Sequence, residues 1–171
     1  GHGVSSCAPC DAFFFRGKKV AVVGGGDSAM EEAQVLAQVA AEVVVIHRKD
    51  EFRAQKAMID NVQSYPHVKF LYNSSVLEVK GETSLTSIVI QTENMSPKQG
   101  VTDFDALVLS FGGIKLEGNK WEMPRDGLFI AIGLDPNTQR FVGLDIDQKG
   151  YVKRMEERDE HGITKYVTKT N

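Results

Sequence analysis

Two cysteines stand close together near the start of the chain, as Cys7-Ala8-Pro9-Cys10, with Asp11 next to them. Fourteen positions after Cys10 begins a glycine run, Gly24-Gly25-Gly26, which leads into Asp27-Ser28-Ala29. A third group is basic: His47-Arg48-Lys49, with Arg53 five positions beyond Arg48. Thiol exchange, polyphosphate cradling and anion recognition are the chemistries that these residue types offer.

Three readings of the cysteine pair compete. Two buried structural thiols would be inert, but close spacing in a Pro-containing, turn-like stretch argues against a core position. A zinc centre needs four ligands, and the sequence has no second C-x-x-C, only His2, His47, His67 and His161 scattered along it. A redox dithiol is the favoured reading, because C-x-x-C geometry stabilises one thiolate and lets the pair close a small ring. Asp11 has two readings, a helix cap or solvated turn residue and a proton donor to a departing thiolate; its position does not choose between them. The Phe13-Phe14-Phe15 run reads as core or internal interface rather than a stacking platform.

Gly24-x-Gly26-x-x-Ala29 matches G-x-G-x-x-G/A, the turn that holds a dinucleotide pyrophosphate. The first glycine permits the tight turn, the second lets phosphate approach the backbone, and a small third residue allows close helix–strand packing. The following helix start presents free N–H groups and a positive dipole. Which dinucleotide is bound depends on the next strand end: a carboxylate there suits the ribose 2′-OH of NAD, whereas cations suit the 2′-phosphate of NADP. Here that end is His47-Arg48-Lys49, with Arg53 close behind. Arg grips phosphate with two parallel N–H groups, and Lys adds a point charge. Asp50 and Glu51 soften the field, and a merely solvated basic turn is the bland alternative; NADPH is the favoured ligand.

The elements that must position these groups follow from periodicity. Residues 18–23 and 42–46 are short β-branched apolar runs, suited to strands buried on both faces. Between them Ala29, Met30, Ala33, Leu36, Ala37 and Ala40 recur at helical spacing. A second helix is predicted over 52–62, broken at Ser64-Tyr65-Pro66, and a third strand over 68–72. Strand–helix–strand–helix–strand is the unit of a doubly wound parallel sheet. Further on, 76–79, 85–91 and 106–111 read as strands of an antiparallel meander laid over one face of that sheet. Residues 92–102 and 112–124 read as exposed loops, 128–132 as a buried strand ended by Gly133, 135–137 as a turn, and 150–171 as polar with little core.

Bulk properties fit one α/β domain with a core, or one domain plus part of another: 171 residues, 42% apolar, 25% charged and net charge −3. Lys and Arg are scattered, so neither a nucleic-acid footprint nor a polybasic anchor is expected. No apolar run approaches the roughly 20 residues of a transmembrane helix. The chain opens without an initiator Met and ends at YVTKTN, and is read as a segment of a longer protein.

With both motifs in place, the stretch 3–56 resembles the low-molecular-weight, bacterial-type thioredoxin reductases. The residues that carry the likeness are GVSSCAPCD (3–11), FFFRGKKVAVVGGGDSA (13–29), EEA (31–33) and IHRKDEFRA (46–54). GLFIAIGLDPNT (127–138) and GYVK (150–153) are similar to that family's return into its flavin domain. The resemblance implies a Rossmann-like, three-layer NAD(P)-binding domain with a parallel sheet and an antiparallel meander. It implies a homodimeric flavoenzyme in which NADPH reduces FAD, FAD reduces the cysteine pair, and the pair reduces a thioredoxin or thioredoxin-like protein; a cytoplasmic location is expected from the missing export signal and the need for NADPH. The NADPH domain and its dithiol would swivel against the FAD domain, so that cysteines and nicotinamide take turns at one flavin. By motif position Cys10 would face the flavin, Cys7 would attack the partner disulfide, and Asp11 would be the acid. Gly24, Gly25, Gly26, Asp27, Ser28, Ala29, His47, Arg48, Lys49 and Arg53 would hold NADPH, with Ile132 and Gly133 also at the cofactors. Residues 1–125 would form the NADPH domain and 126–171 a return segment; FAD would be bound mainly by protein outside these 171 residues. Pro9 and Lys49 depart from the family, which more often has Thr or Val, and Arg. Two alternatives remain, a related NADPH-dependent flavoprotein disulfide reductase with another partner, and a non-catalytic module that senses NADPH and thiol state.

Overall fold

The computed structural model describes residues 2–93, 104–158, 161–162 and 164–168. They fall into two compact units, 1–133 and 134–171. In chain order the first unit contains β1 (Val4–Ser5), α1 (Ala8–Asp11), β2 (Lys19–Gly24), α2 (Asp27–Ala37), β3 (Glu42–Ile46), α3 (Lys56–Gln63), β4 (Val68–Leu71), β5 (Ser74–Lys80), β6 (Ser87–Thr92), α4 (Phe104–Ser110), β7 (Ile114–Lys115), β8 (Lys120–Pro124) and β9 (Gly127–Ala131). A 3₁₀ turn, Ala12–Phe15, continues α1.

Strands β1, β9, β2, β3 and β4 form, in that order, a wholly parallel sheet. Its central strands are buried on both faces, and alternate side chains divide between two cores. Val20, Val22, Val43 and Val45 pack with Ala29, Met30, Ala33 and Leu36 of α2 on one face. Ala21, Val44 and Ile46 pack on the other face with Ile88, Ile90, Trp121 and Met123 of a four-stranded antiparallel sheet, ordered β5-β6-β8-β7. The result is three layers: helices, parallel sheet, antiparallel sheet. This is the α/β, Rossmann-like arrangement that the sequence predicts, with an antiparallel sheet whose order, β8 between β6 and β7, differs from the expected meander.

Three expectations need correcting. The apolar run 106–111 is not a strand; it lies in α4 and the turn after it. Phe104, Leu107, Val108 and Phe111 recur at helical spacing and all meet the second core. Residues 112–124 are not simply an exposed loop, because they supply β7 and β8, which pair antiparallel with each other while β8 also pairs with β6. Trp121 and Met123 are fully buried from β8, while Lys120 and Pro124 point outward. Likewise Thr92, expected in a loop, is buried at the end of β6, and 94–102 lie outside the described residues. The two compact units divide after Gly133, and β9 pairs with both β1 and β2 inside the parallel sheet.

A buried ion pair ties the two sheets together. The Arg125 side chain, in the link between β8 and β9, lies 2.9 Å from Glu42 at the start of β3. The same guanidinium donates to the Pro124 carbonyl at 2.7 Å and sits over the Phe111 ring. Burial pushes the Arg125 pKa down, opposed by Glu42 and Asp126.

The second unit, taken by itself, has a 3₁₀ turn, Thr138–Arg140, and a hairpin of β10 (Arg154–Arg158) with β11 (Thr164–Thr168). Every residue of β10 is exposed, in line with the polar reading of this stretch.

Candidate functional site

All five strands of the main sheet run the same way, so their carboxyl ends form one edge. The chain leaves that edge from β1 into the cysteine turn, from β2 into the glycine turn, and from β3 into the basic segment. β2 lies between β3 and β9, where the strand order reverses. Such a crevice, outside the carboxyl ends at a reversal point, is the ligand position of open α/β sheets. A cleft of about 510 Å³ opens there, lined by Gly24, Gly25, Arg48, Arg53, Ile130–Ile132 and, from the antiparallel sheet, Ser74–Val79.

The three glycines do different things. A Cβ on Gly24 would collide with the Ala131 carbonyl oxygen and stand 2.8 Å from the Ala29 methyl, so this glycine is required for β2 to pack against β9 and α2. A Cβ on Gly25 would land on the His47 ring. A Cβ on Gly26 would meet nothing within 4 Å. Open space at that position leaves the backbone accessible to a ligand. Gly26 is also the N-cap of α2, with no side chain capping it, so the first amides of the helix remain for a ligand. Ala29 is fully buried, as the small third residue should be.

The basic segment separates into a support and a charged rim. His47 is buried, stacks on Phe52 at 5.2 Å, and its Nε2 donates to the Glu51 carbonyl at 3.0 Å. Burial, reinforced by the charges of Arg53, Arg48 and Lys49, pushes its pKa below the ordinary histidine range against that bond. A neutral imidazole braces Gly25 from below. Arg48 and Arg53 are exposed and border the cleft, and the Arg53 N–H donates to the Gly25 carbonyl at 2.7 Å. Lys49 is exposed outside the lining, as is Ser28. Asp27 turns toward α3, where its carboxylate accepts the Gln55 N–H at 2.8 Å. Gly133 ends the first unit without lining the cleft, whereas Ile132 does line it.

Cys7 and Cys10 form a disulfide with Cα atoms 5.3 Å apart. Cys7 is half-buried and Cys10 exposed. Cys7 is the N-cap of α1, and its carbonyl accepts the N–H groups of Cys10 and Asp11 at 3.2 and 3.1 Å. The Ser5 hydroxyl donates to the Asp11 carboxylate at 2.6 Å and accepts the Cys7 N–H at 3.1 Å. From α2, the Glu32 carboxylate accepts the Ala8 N–H. Phe15 is core, edge-on to Phe129 at 5.1 Å, while Phe13 and Phe14 are 72% and 67% exposed. Only part of the expected aromatic run is therefore internal. Among the described residues no three His, Cys, Asp or Glu side chains gather as a metal cluster.

Sequence reading missed Ser5, Glu32 and the β5 wall of the cleft. Glu32 reads as a solvent-side residue of α2, since periodicity reports the buried stripe and not what a polar neighbour touches. Nothing in the local pattern of 74–79 signals that it faces the glycine turn.

Residues 19–96 match the family described as pyridine nucleotide-disulphide oxidoreductase. Thioredoxin reductases are among the relatives of the chain: it is 42% identical over 154 residues to the thioredoxin reductase of Streptomyces clavuligerus, covering 90% of this chain and 41% of that protein. The Lactococcus lactis thioredoxin reductase structure superposes with a TM-score of 0.68 at 31% identity, over 95% of this chain and 46% of that one. The glucosaminate ammonia-lyase of Pseudomonas fluorescens is also 40% identical, over 93% of this chain and 44% of that protein. The chain spans less than half the length of these relatives. The likeness to thioredoxin reductases expected from the two motifs thus holds over about nine-tenths of the chain.

Proposed function

We propose that these 171 residues are the NADPH-binding, dithiol-bearing part of a FAD-dependent thioredoxin reductase. The observation that carries the reading is the shared sheet edge: a Cys7–Cys10 disulfide after β1 and a glycine turn with a basic rim after β2 and β3. With β9 between them, β1 and β2 lie two strand spacings apart, about 10 Å. When bound, the nicotinamide and the flavin supply a hydride and its relay as an electron pair.

This chain's residues supply binding and proton handling. The open face of Gly26 and the free amides of α2 receive the pyrophosphate, and Arg48 and Arg53 take the 2′-phosphate by charge-assisted hydrogen bonds. His47, held neutral, fixes the glycine turn. In the reduced pair Cys7 attacks the partner disulfide, Cys10 resolves the mixed disulfide, and Asp11, oriented by Ser5, carries the proton. The partner is thioredoxin or a thioredoxin-like protein, the enzyme a cytoplasmic homodimer. No helix of the described residues is long and apolar enough to cross a membrane.

A reductase with a different partner is the second reading, left open by the similar identity, 40% against 42%, to a protein of another name. Titrating NADPH and NADH into the chain by calorimetry tests the cofactor, with NADPH expected to bind at least tenfold more tightly; equal affinities overturn the role of Arg48. Reduction of thioredoxin by the flavin-loaded protein separates the two partner readings.

A further inference from the structure

We propose that Glu32 is a positioning residue that holds the Cys7 thiol protonated and so keeps the dithiol a good reductant; the inference rests on the redox reading of the pair. It comes from accounting for the amides of the turn. The Cys7 N–H goes to Ser5, the Ala8 N–H to Glu32, Pro9 has none, and the Cys10 and Asp11 N–H groups go to the Cys7 carbonyl. No amide from residue 7 to residue 11 is left to solvate a thiolate, although such amides and nearby cations are what lower a cysteine pKa.

The amide adjoining Cys7 is occupied by a carboxylate, and a negative charge beside a thiol disfavours its ionisation. The other charged groups around the turn do not reverse this. Asp11 is a second carboxylate, bound by Ser5, and Glu31 is exposed on the next position of α2. Arg16 and Lys18 are placed over the Phe13 and Phe15 rings, each at 5.6 Å. Ala8 is completely buried against α2, so the turn has a fixed seat on the helix that carries Glu32. α2 is also the helix that opens at Gly26, which makes one element responsible for seating both the cofactor phosphates and the dithiol.

The test is alkylation of the reduced chain by iodoacetamide across pH, with the modified cysteine assigned by mass spectrometry. Glu32→Gln removes the charge and retains an acceptor for the Ala8 amide, while Glu32→Ala removes both. The Cys7 midpoint is expected to fall by about one pH unit in Glu32→Gln and further in Glu32→Ala. At pH 7 the thiolate fraction then rises about tenfold, and the lower nucleophilicity takes back a factor of about three, leaving roughly threefold faster alkylation. Glu31→Gln should superimpose on the parent chain. A Glu32→Gln midpoint equal to or above the parent's, or an equal fall in Glu31→Gln, overturns the inference. Glu32→Gln decides the matter alone if Glu32→Ala fails to fold. Exchange of the parent disulfide with a dithiothreitol couple separates the two levels: a disulfide that resists exchange overturns the redox reading itself, whereas an exchangeable pair with an unmoved Glu32→Gln midpoint overturns the role of Glu32 only.

Discussion

Gly24 and Gly26 look alike in a motif and behave differently in space. Gly24→Ala forces a methyl against the Ala131 carbonyl, and should cost about 1–3 kcal/mol in a urea titration, as overpacking does. Gly26→Ala adds a methyl in open space, so stability should stay within about 0.5 kcal/mol while NADPH affinity measured by calorimetry falls at least tenfold. Arg48→Ala should weaken NADPH by about tenfold, the lower end of a hydrogen bond to a charged group, and leave NADH binding unchanged. His47 supplies a pH dependence. Its folded pKa lies below the ordinary value near 6.5, so the unfolded chain binds the extra proton first and stability is complete above about pH 6.5. Thermal unfolding should therefore fall as pH drops from 7.5 through 5.5, and His47→Phe, which keeps a ring against Phe52, should flatten that slope.

At the scale of elements, the Arg125–Glu42 pair joins the link after β8 to the start of β3. Arg125→Ala removes the buried partner of the half-buried Glu42 carboxylate, so it should destabilise by about 1–3 kcal/mol. Arg125→Ala combined with Glu42→Ala should recover part of that loss in the same denaturant titration. Residues 18–72 were legible because β-branched runs, a helical stripe and turn residues all agree there. The segment 104–124 was not. Ala-Leu-Val-Leu-Ser-Phe is a short apolar run that fits a buried strand as well as a helix, and only the spacing of Phe104, Leu107, Val108 and Phe111 distinguishes them. In β8 the inward pair Trp121 and Met123 is diluted by Lys120, Glu122 and Pro124, so alternation over five residues was hidden. At the site, motifs exposed the glycine turn, the basic rim and the cysteines, because those depend on residue type. Glu32 and Ser5 escaped because their importance lies in which amide or carboxylate they reach.

For the whole molecule, the cleft beside the glycine turn and the dithiol belong to the first unit. A chain ending at Gly133 should retain NADPH affinity within about twofold, and a concentration of 100 Kd should stabilise either form by about 2.7 kcal/mol, read as a rise in Tm. The pairing of Val4 with Leu128 has a consequence for how the molecule is made. Among the described residues β1 has one sheet neighbour, a strand synthesised more than a hundred residues later, and closing so large a loop is entropically unfavourable. During translation the thiol-bearing arm therefore lacks its strand partner until β9 leaves the ribosome, and the pairing that fastens the sulfurs to the edge they share with the glycine turn forms late.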